Sequence, residues 1–412
     1  MSPQPCVQYA DSHWVMPGMA TAHSHAFQRV LRGRTQRRSM QAASFWGWRD
    51  LMYTLAAQVD PDDMYAIARF AYTELAMSGV TAVGEFHYVH HDLDGNPYTH
   101  RTELADAVIR AAKDTGIRIC LIRTAYMRGG HKKPLDTAQK RFSDSDVDLI
   151  LQDLDTLQAQ YKADPMVTVA VAAHSIRAVP LPQIRMLAAY ADQHRLPFHM
   201  HVCEQRRELE ECKTEYGTTP ITLLANEGIL SRNFVAVHAT HLTPAEITAL
   251  GSEETFVCLC RTTERDLGDG LPQTSDLLQA GVRLCVGVDS HACENAFEEV
   301  RAVEYDERSR MEERHSAAEA PLLLDAATRL GYAACGLDER WTEDRIYLDA
   351  EDPSIAVVAK DHATDAIIFG ATPRAVKSVV VAGQTIIEAG CHLQYHSIYK
   401  TYRDTLRKLA LI

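Results

Sequence analysis

Histidine and aspartate residues recur in this 412-residue chain at points where short apolar runs end. His23 and His25 form an HSH motif after the first run, His201 ends an HMH motif after the fifth, and Asp289 follows the eighth. Residues i and i+2 of a strand face the same side, so His23 and His25 can bind one cation together. With His201 and Asp289 they make a ligand set that suits Zn²⁺, with Fe²⁺ or another divalent ion as the alternative. For a single HxH motif, ordinary core or surface histidines are the simpler interpretation, but the agreement of several strand ends favours a metal site.

Two further groups lie next to these predicted ligands in the sequence. Glu204 follows His201 by three residues, where a carboxylate that does not bind the ion can deliver a proton to a nitrogen leaving group. Asp289 can both bind the ion and accept a proton from a water molecule whose pKa the ion lowers toward about 7. His238 ends the sixth run and can hydrogen-bond the resulting hydroxide. We therefore predict Glu204, His238 and Asp289 as catalytic residues; an exposed loop glutamate is the alternative for Glu204.

Elements that bring these residues together can be read from the hydrophobic pattern. From residue 17 onward, apolar runs rich in β-branched residues alternate with segments of helical period, which is typical of repeated βα units. The eight predicted strands cover residues 16–23, 80–86, 117–124, 167–173, 197–202, 234–238, 255–260 and 282–288. The predicted helices include residues 63–77, 103–113, 146–161, 181–194 and 219–227. We expect an α/β fold with a (β/α)₈ TIM-type barrel, whose active-site groups lie at the carboxyl ends of the strands; a doubly wound open sheet is the alternative.

The pattern divides the chain into three regions. We assign residues 17–345 to the barrel, and residues 1–16 with 346–395 to a small β-sandwich module. In that module IAVVAK, DAIIFG, VKSVVVAG and QTIIEAG are the predicted strands, the last two joined as a hairpin across an Ala-Gly turn. Residues 396–412 have helical spacing with basic residues in the last turns, so they predict a C-terminal helix.

Composition excludes several classes of protein. Lys and Arg number 42 against 55 Asp and Glu, a net charge of −13, and the absence of a long basic run disfavours nucleic acid and acidic membranes. The sequence shows neither a signal peptide nor an apolar stretch of transmembrane length. The ten cysteines form no CxxC pair, which favours free thiols in a reducing cytosol over disulfides. We expect a cytoplasmic protein that acts on a small molecule.

The motifs taken together resemble a known family. HxH on the first strand, HxxE after the fifth, histidine on the sixth and aspartate on the eighth are similar to the amidohydrolase superfamily. The fourth run ends without a lysine and near His174, which resembles the mononuclear deaminase branch. Residues 17–395 resemble the formimidoylglutamate deiminases through the segments PGMATAHSHAFQR, SFWGWRDLMY, GVTAVGEFHYVHHDLDG, HSIRAV, HMHVCEQ, VHATH, TTE, LGDG and GVDSH. The resemblance implies zinc-dependent hydrolysis of N-formimino-L-glutamate to N-formyl-L-glutamate and ammonia in histidine degradation, with one metal ion per chain and a homodimer.

The same resemblance implies a set of substrate-binding residues. They are Gln28, Arg49, Tyr88, His174 and Arg177. A substrate with two carboxylates requires permanently charged, planar donors, and arginine supplies paired hydrogen bonds that lysine cannot. Surface ion pairing is the alternative for both arginines.

The sequence departs from the family in two places. The segment before the first barrel strand is short, so the sandwich is expected to be incomplete, completed by a partner, or shortened by a misplaced start site. The residues that follow the seventh and eighth strands also differ from the family pattern. Among them we expect Arg261, Arg265 and Cys293 near the pocket rim, where they would alter specificity. Alternatives to the implied function are a related deaminase acting on another amidino or guanidino acid or a heterocycle, a noncatalytic metal-binding relative, and a two-metal phosphoesterase.

Overall fold

A computed structural model describes residues 4–36 and 45–412 of the chain. The strands are β1 (Gln8–Ala10), β2 (His13–Pro17), β3 (Met19–Ser24), β4 (Val80–His87), β5 (Arg118–Ala125), β6 (Val167–Ala173), β7 (Phe198–Val202), β8 (Phe234–His238), β9 (Phe256–Leu259), β10 (Arg283–Val286), β11 (Arg345–Asp349), β12 (Val376–Val381), β13 (Gln384–Glu388) and β14 (Cys391–His392). The α-helices are α1 (Phe45–Ala56), α2 (Pro61–Met77), α3 (Glu103–Thr115), α4 (Val147–Tyr161), α5 (Leu181–His194), α6 (Arg206–Tyr216), α7 (Pro220–Asn226), α8 (Pro244–Ser252), α9 (Arg261–Leu267), α10 (Thr274–Gln279), α11 (Ala296–Met311), α12 (Ala320–Ala327), α13 (Arg329–Ala334), α14 (Ala363–Gly370) and α15 (Tyr395–Lys408). Short 3₁₀ helices lie at Ala26–Leu31, Ala138–Arg141, Asp338–Thr342, Lys360–His362 and Pro373–Ala375.

Strands β3 to β10 form an eight-stranded parallel sheet in chain order, as a TIM-type barrel requires. The sheet closes between its first and last strands at their carboxyl ends. Here the Asp289 backbone N–H donates to the His23 carbonyl at 3.0 Å, and the His25 N–H donates to the Asp289 carbonyl at 2.9 Å. The predicted fold class is confirmed, and the closing hydrogen bonds join three of the four predicted metal ligands.

The predicted elements of the barrel agree closely with those observed. Seven of the eight predicted strands and all five named helices have ends within two residues of the structure. Asp60 caps α2 as the sequence pattern suggests: its carboxylate accepts from the Asp63 N–H at 2.9 Å. Burial of one face of each helix against the strands then stabilises the alternating layers.

The first predicted strand, residues 16–23, is wrong at its beginning. Met16 and Pro17 belong to β2, and the chain passes at Gly18 into the barrel. The Gly18 N–H donates to the Asp344 carbonyl at 3.1 Å. A Cβ atom at Gly18 would lie 2.1 Å from the Thr81 hydroxyl oxygen, so only glycine permits this approach. Two strands of different sheets therefore form one apolar run in the sequence.

The terminal segments build a second sheet, which is antiparallel and has the order β1-β2-β11-β12-β13-β14. The predicted hairpin is confirmed: β12 and β13 join through Ala382 (φ 48°) and Gly383 (φ 79°), both left-handed as a type I′ turn needs. The C-terminal helix is present as α15. One core of buried apolar side chains continues from the barrel into this sheet, where it includes Ile346, Val379 and Ile387.

Two predicted strands of this region are wrong, and three observed strands, β1, β11 and β14, were not predicted. IAVVAK forms turns, and DAIIFG lies in α14, where Ile367 and Ile368 are buried. Short apolar runs fit a strand or a buried helical turn equally well when periodicity is the only guide. Of the three, β11 begins at Arg345 and pairs with both β2 and β12.

A buried carboxylate ties the two sheets together. Asp344 accepts two hydrogen bonds from the Arg118 guanidinium, at 2.9 and 3.0 Å. It also accepts from the Tyr332 hydroxyl at 2.6 Å and from the Ala382 N–H at 2.9 Å. All lone pairs of the carboxylate are thereby engaged, which offsets the burial of its charge.

Within the described residues, no helix combines the length and apolarity needed to cross a membrane. The ten cysteines are all free, as predicted, and seven of them are buried.

Candidate active site

Four predicted ligands converge where the barrel closes. The Nε2 atom of His23 lies 3.2 Å from Nε2 of His25 and 3.0 Å from Nε2 of His201. Oδ1 of Asp289 lies 3.5 Å from Nε2 of His23 and 3.3 Å from that of His25. All four side chains are buried, and their ligand atoms lie within 4.8 Å of one another. Ligands at about 2.0–2.1 Å from one tetrahedral ion would be separated by similar distances.

The protonation state of these histidines is compatible with a bound cation. Nδ1 of His25 donates to the Phe86 carbonyl at 2.9 Å, and Nδ1 of His201 donates to the His174 carbonyl at 3.0 Å. Burial lowers the pKa of His25 to about 3 and the pKa of His201 well below its ordinary value. Both rings are therefore neutral, and the Nε2 atom of each, which carries a lone pair, lies next to Nε2 of His23. Lone pairs that converge on a carboxylate repel one another unless a cation lies among them, so the donor set fits a divalent metal ion.

The backbone turns sharply at the strand ends that carry the site. His238 (φ 73°), Asp289 (φ 53°) and Cys203 (φ 55°) adopt left-handed conformations that are uncommon for residues other than glycine. Such strained residues persist where surrounding contacts hold them, and they cluster at functional sites. The turn at Cys203 precedes Glu204 directly and changes the course of the chain after β7.

Glu204 and His238 lie beside the ligand cluster, as predicted. Nε2 of His238 is 3.7 Å from Oδ2 of Asp289 and 4.0 Å from Oε1 of Glu204. Burial lowers the pKa of His238, but the carboxylates of Glu204, Glu264 and Asp289 outweigh burial and raise it to about 10. Burial raises the pKa of Glu204, which suits a group that must carry a proton to substrate.

Glu264 completes this arrangement, and the sequence analysis assigned it no role. Its Oε1 accepts from Nδ1 of His238 at 3.1 Å and from the Cys260 N–H at 2.9 Å. The side chain is fully buried, and Arg261 also contacts it. The segment TTE in CRTTERDLGDG was the available signal, because it follows a barrel strand directly.

The five predicted substrate-binding residues meet in one cavity. Gln28, Arg49, Tyr88, His174 and Arg177 line a space of about 240 Å³ that is also lined by His25, His201, Glu204, His238 and Asp289. The Gln28 side-chain amide donates to the Tyr88 hydroxyl at 2.8 Å, and Nη2 of Arg177 lies 3.9 Å from Oε2 of Glu204. The structure brings the whole predicted set together, while the individual roles stay predictions. The cavity is also lined by Tyr53, Tyr126 and Gln139, which the sequence analysis missed.

The expectation for Arg261 and Arg265 at the pocket rim is wrong. Arg261 is fully buried, and its Nε donates to Asp306 at 2.7 Å. Arg265 pairs with Asp306 at 2.6 Å and with Glu298 at 2.8 Å. Both side chains extend from α9 toward acidic residues of α11, because that neutralises their charge away from the cavity. Cys293 does not line the cavity either.

Comparison with known proteins agrees with this geometry. The sequence pattern of the amidohydrolase family matches residues 14–386. The chain is 36% identical over 391 residues to a formimidoylglutamate deiminase of Pseudomonas aeruginosa, which covers 92% of this chain and 85% of that protein. The crystal structure of an amidohydrolase from Brucella melitensis superposes with a TM-score of 0.89 at 28% identity, over 98% of this chain and 96% of the other. An adenosine deaminase from Xanthomonas campestris with bound zinc shares the fold, with a TM-score of 0.83 and 22% identity over 97% of this chain and 87% of its own. The resemblance in the motifs is thus confirmed, and the chain belongs to the amidohydrolase family.

Proposed function

We propose that this protein hydrolyses N-formimino-L-glutamate to N-formyl-L-glutamate and ammonia. One observation carries the proposal: a metal-ligand cluster, an acid beside it and two arginines line a single cavity. The cavity therefore combines a hydrolytic centre with donors for a small dicarboxylate. The relative from Pseudomonas aeruginosa, named as a formimidoylglutamate deiminase, supports the same substrate.

His23, His25, His201 and Asp289 would hold one divalent ion. We propose zinc, because three imidazoles and a carboxylate are a borderline-soft set that zinc favours, with iron as the alternative. When bound, such an ion lowers the pKa of water and so supplies a nucleophile at neutral pH.

The residues around the ligands divide the proton transfers between them. Asp289 accepts a proton from the attacking water molecule, and His238, held by Glu264 at 3.1 Å, orients that water through Nε2. Glu204 donates to the imino nitrogen of the substrate and so assists the addition of water across the C=N bond. The proton held by Asp289 then passes to the same nitrogen, while Glu204 recovers a proton from the hydroxyl group on the former imino carbon. The C–N bond breaks, ammonia leaves, and the formyl carbonyl forms.

Two arginines account for an acidic substrate in a protein of net charge −13. Arg177 lies 3.9 Å from Glu204, so it can bind the carboxylate next to the reacting nitrogen. Arg49 comes from α1 on another wall of the cavity and can bind the second carboxylate. Charge-assisted hydrogen bonds from guanidinium groups are the strong, planar type that carboxylates accept in pairs.

The substrate is tested by ammonia release from purified, zinc-loaded protein. We expect turnover of formiminoglutamate to exceed that of formiminoaspartate, guanidinoglutarate and guanine. Activity on one of the others, with none on formiminoglutamate, would assign the protein to a related deaminase instead. Inactivity on all of them in protein with bound metal would favour the noncatalytic alternative.

The metal is tested separately. Chelated protein that is verified as metal-free should release no ammonia, and zinc should restore the activity. His201→Asn should lose bound metal, whereas His194→Asn on the surface of α5 should retain it. Full activity without metal, or metal content unchanged in His201→Asn, would contradict the assigned centre.

The homodimer implied by the family resemblance and the cytoplasmic location expected from the sequence stay predictions. Sedimentation velocity of the purified protein would measure the oligomeric state directly.

A further inference from the structure

Three polar side chains from separate segments meet at one wall of the cavity. Tyr53 lies on α1, Tyr126 directly follows β5, and Gln139 lies in the 3₁₀ helix Ala138–Arg141. The two tyrosine oxygens are 3.2 Å apart. The Gln139 side-chain amide donates to the Tyr126 hydroxyl at 2.8 Å and to the Tyr53 hydroxyl at 3.3 Å. All three side chains are buried yet line the cavity.

The orientation of the Gln139 amide is determined by its other end. Its Oε1 accepts from the Asp136 N–H at 3.0 Å, while the Gln139 N–H donates to the Asp136 carboxylate at 3.0 Å. A backbone N–H can only donate, so the oxygen of the amide faces Asp136 and the NH₂ group faces the tyrosines. Gln139 therefore supplies protons to both hydroxyl oxygens and accepts none from them.

Counting protons leaves one hydroxyl proton without an acceptor. The tyrosines hold two hydroxyl protons, and at most one of these lies between the two oxygens. Neither hydroxyl has another acceptor among the described residues. Burial raises the pKa of Tyr126 well above its ordinary value, so this hydroxyl stays protonated at neutral pH. The remaining proton has no acceptor among the described residues, so water or a ligand in the cavity must accept it.

This hydroxyl pair, Tyr53 with Tyr126, is connected to the metal ligands through the His174 ring. The His201 ring is 4.9 Å from the His174 ring, and the His174 ring is in turn 4.9 Å from the Tyr126 ring. The guanidinium of Arg49 lies 5.4 Å from the centre of the Tyr53 ring. A cation and a hydroxyl donor therefore occur together next to Tyr53, on a part of the cavity wall formed by none of the metal ligands.

We propose that the hydroxyl pair, oriented by Gln139, donates to the side-chain carboxylate of the substrate and selects a carboxylate over an amide at that position. The inference rests on the proposed function, since it takes formiminoglutamate as the substrate. A carboxylate offers acceptors only, whereas the NH₂ group of an amide would face donors and leave a buried group unpaired. The pair is thus a specificity determinant at the far end of the substrate from the formimino group.

The experiment compares N-formimino-L-glutamate with N-formimino-L-glutamine, its side-chain amide, in zinc-loaded protein. Wild type should prefer the glutamate substrate by about 100-fold or more in kcat/KM. The double variant Tyr53→Phe/Tyr126→Phe should lower this preference by about 10- to 100-fold, because it removes a hydrogen bond to a charged group. Each single variant keeps one hydroxyl that can donate to the substrate. The fold loss of preference in the double variant should therefore exceed the product of the fold losses in the two single variants. The control Tyr65→Phe, which removes an exposed hydroxyl bonded to Asp114 at 2.7 Å, should leave the preference unchanged.

Gln139→Glu provides a second variant that changes little in volume. Its carboxylate would accept the hydroxyl protons and turn them away from the cavity, so the preference should fall as in the double variant while the melting temperature is kept. An unchanged preference in both the double variant and Gln139→Glu would overturn the inference. If the fold losses of preference in the two single variants multiply to the fold loss in the double variant, the two hydroxyls act independently and the shared-proton arrangement is overturned. If wild type turns over neither substrate, the proposed function fails, and calorimetric titration with glutarate tests the inference instead. The affinity for glutarate should fall in the double variant and not in Tyr65→Phe. Equal affinities in wild type and the double variant would overturn the inference.

Discussion

Replacing Glu264 with glutamine tests how His238 is held beside the predicted metal ligands. The Glu264 carboxylate accepts from Nδ1 of His238 at 3.1 Å, while Nε2 of the same ring faces Asp289 at 3.7 Å. The interaction fixes the orientation of the ring so that Nε2 faces the reaction, as a carboxylate behind a catalytic histidine does in other hydrolases. Glu264→Gln retains the volume and removes the charge.

The size of the effect follows from the bond that is weakened. A hydrogen bond to a charged group contributes about 1.5–3 kcal/mol, and about 1.4 kcal/mol changes a rate tenfold. We therefore expect kcat to fall by about 10- to 100-fold. KM should change little, because Glu264 does not line the cavity and lies on the opposite side of His238 from Glu204.

The assay is steady-state ammonia release by zinc-loaded protein, with metal content and melting temperature measured on the same samples. Glu298→Gln is the matched control, because Glu298 pairs with Arg265 on the outer side of α11 at 2.8 Å. This control should keep the wild-type kcat. Wild-type kcat in Glu264→Gln would refute the positioning role. A fall in kcat fully explained by lost metal, or a rise in KM at constant kcat, would also refute it.

Four other substitutions give three further predictions. Glu204→Gln should lower kcat by about 10²- to 10⁴-fold with metal retained, because proton delivery is lost while the ligands stay intact; wild-type turnover would remove its assigned role. Arg49→Met and Arg177→Met should each lower kcat/KM for the dicarboxylate by ~10²-fold through loss of a charge-assisted pair, and unchanged kinetics in both would contradict the anion-binding role. Asp344→Ala should lower the free energy of unfolding by about 3–5 kcal/mol, because it leaves the buried Arg118 without its main counter-charge; denaturant titration measures this, and a loss below about 1 kcal/mol would show that the network adds little.

The barrel strands could be predicted because each has a local signature. Runs at residues 167–173 and 234–238 coincide with β6 and β8, since strands buried on both faces are continuous apolar runs. The same rule failed for DAIIFG, because its apolar residues pack on a helical face of α14 instead. It also failed at residues 16–23, where the change of sheet at Gly18 depends on Asp344 and Thr81, which are distant in sequence.

The candidate site divides in the same way. Parallel barrel strands bring their carboxyl ends to one rim independently of the loop structures. The convergence of four residues could therefore be predicted, namely His23, His25, His201 and Asp289. Glu264 could not be assigned, since its contact with His238 depends on how α9 leaves β9. Asp306, the partner that Arg261 and Arg265 share, lies on α11, a helix that follows the next strand, so no local pattern indicates it.

The sequence by itself determined the barrel, the family and the convergence of three histidines and an aspartate at one rim, because alternation, strand-end position and motif spacing are properties of short segments. The tertiary structure decided which groups support those residues and what lines the rest of the cavity. Tyr53, Tyr126 and Gln139 come from three separate segments, and their hydrogen bonds exist only after α1 and the segment after β5 have packed together. The physical reason is range: periodicity acts over a few residues, whereas a buried polar group takes its partner from whichever segment the folded chain places beside it.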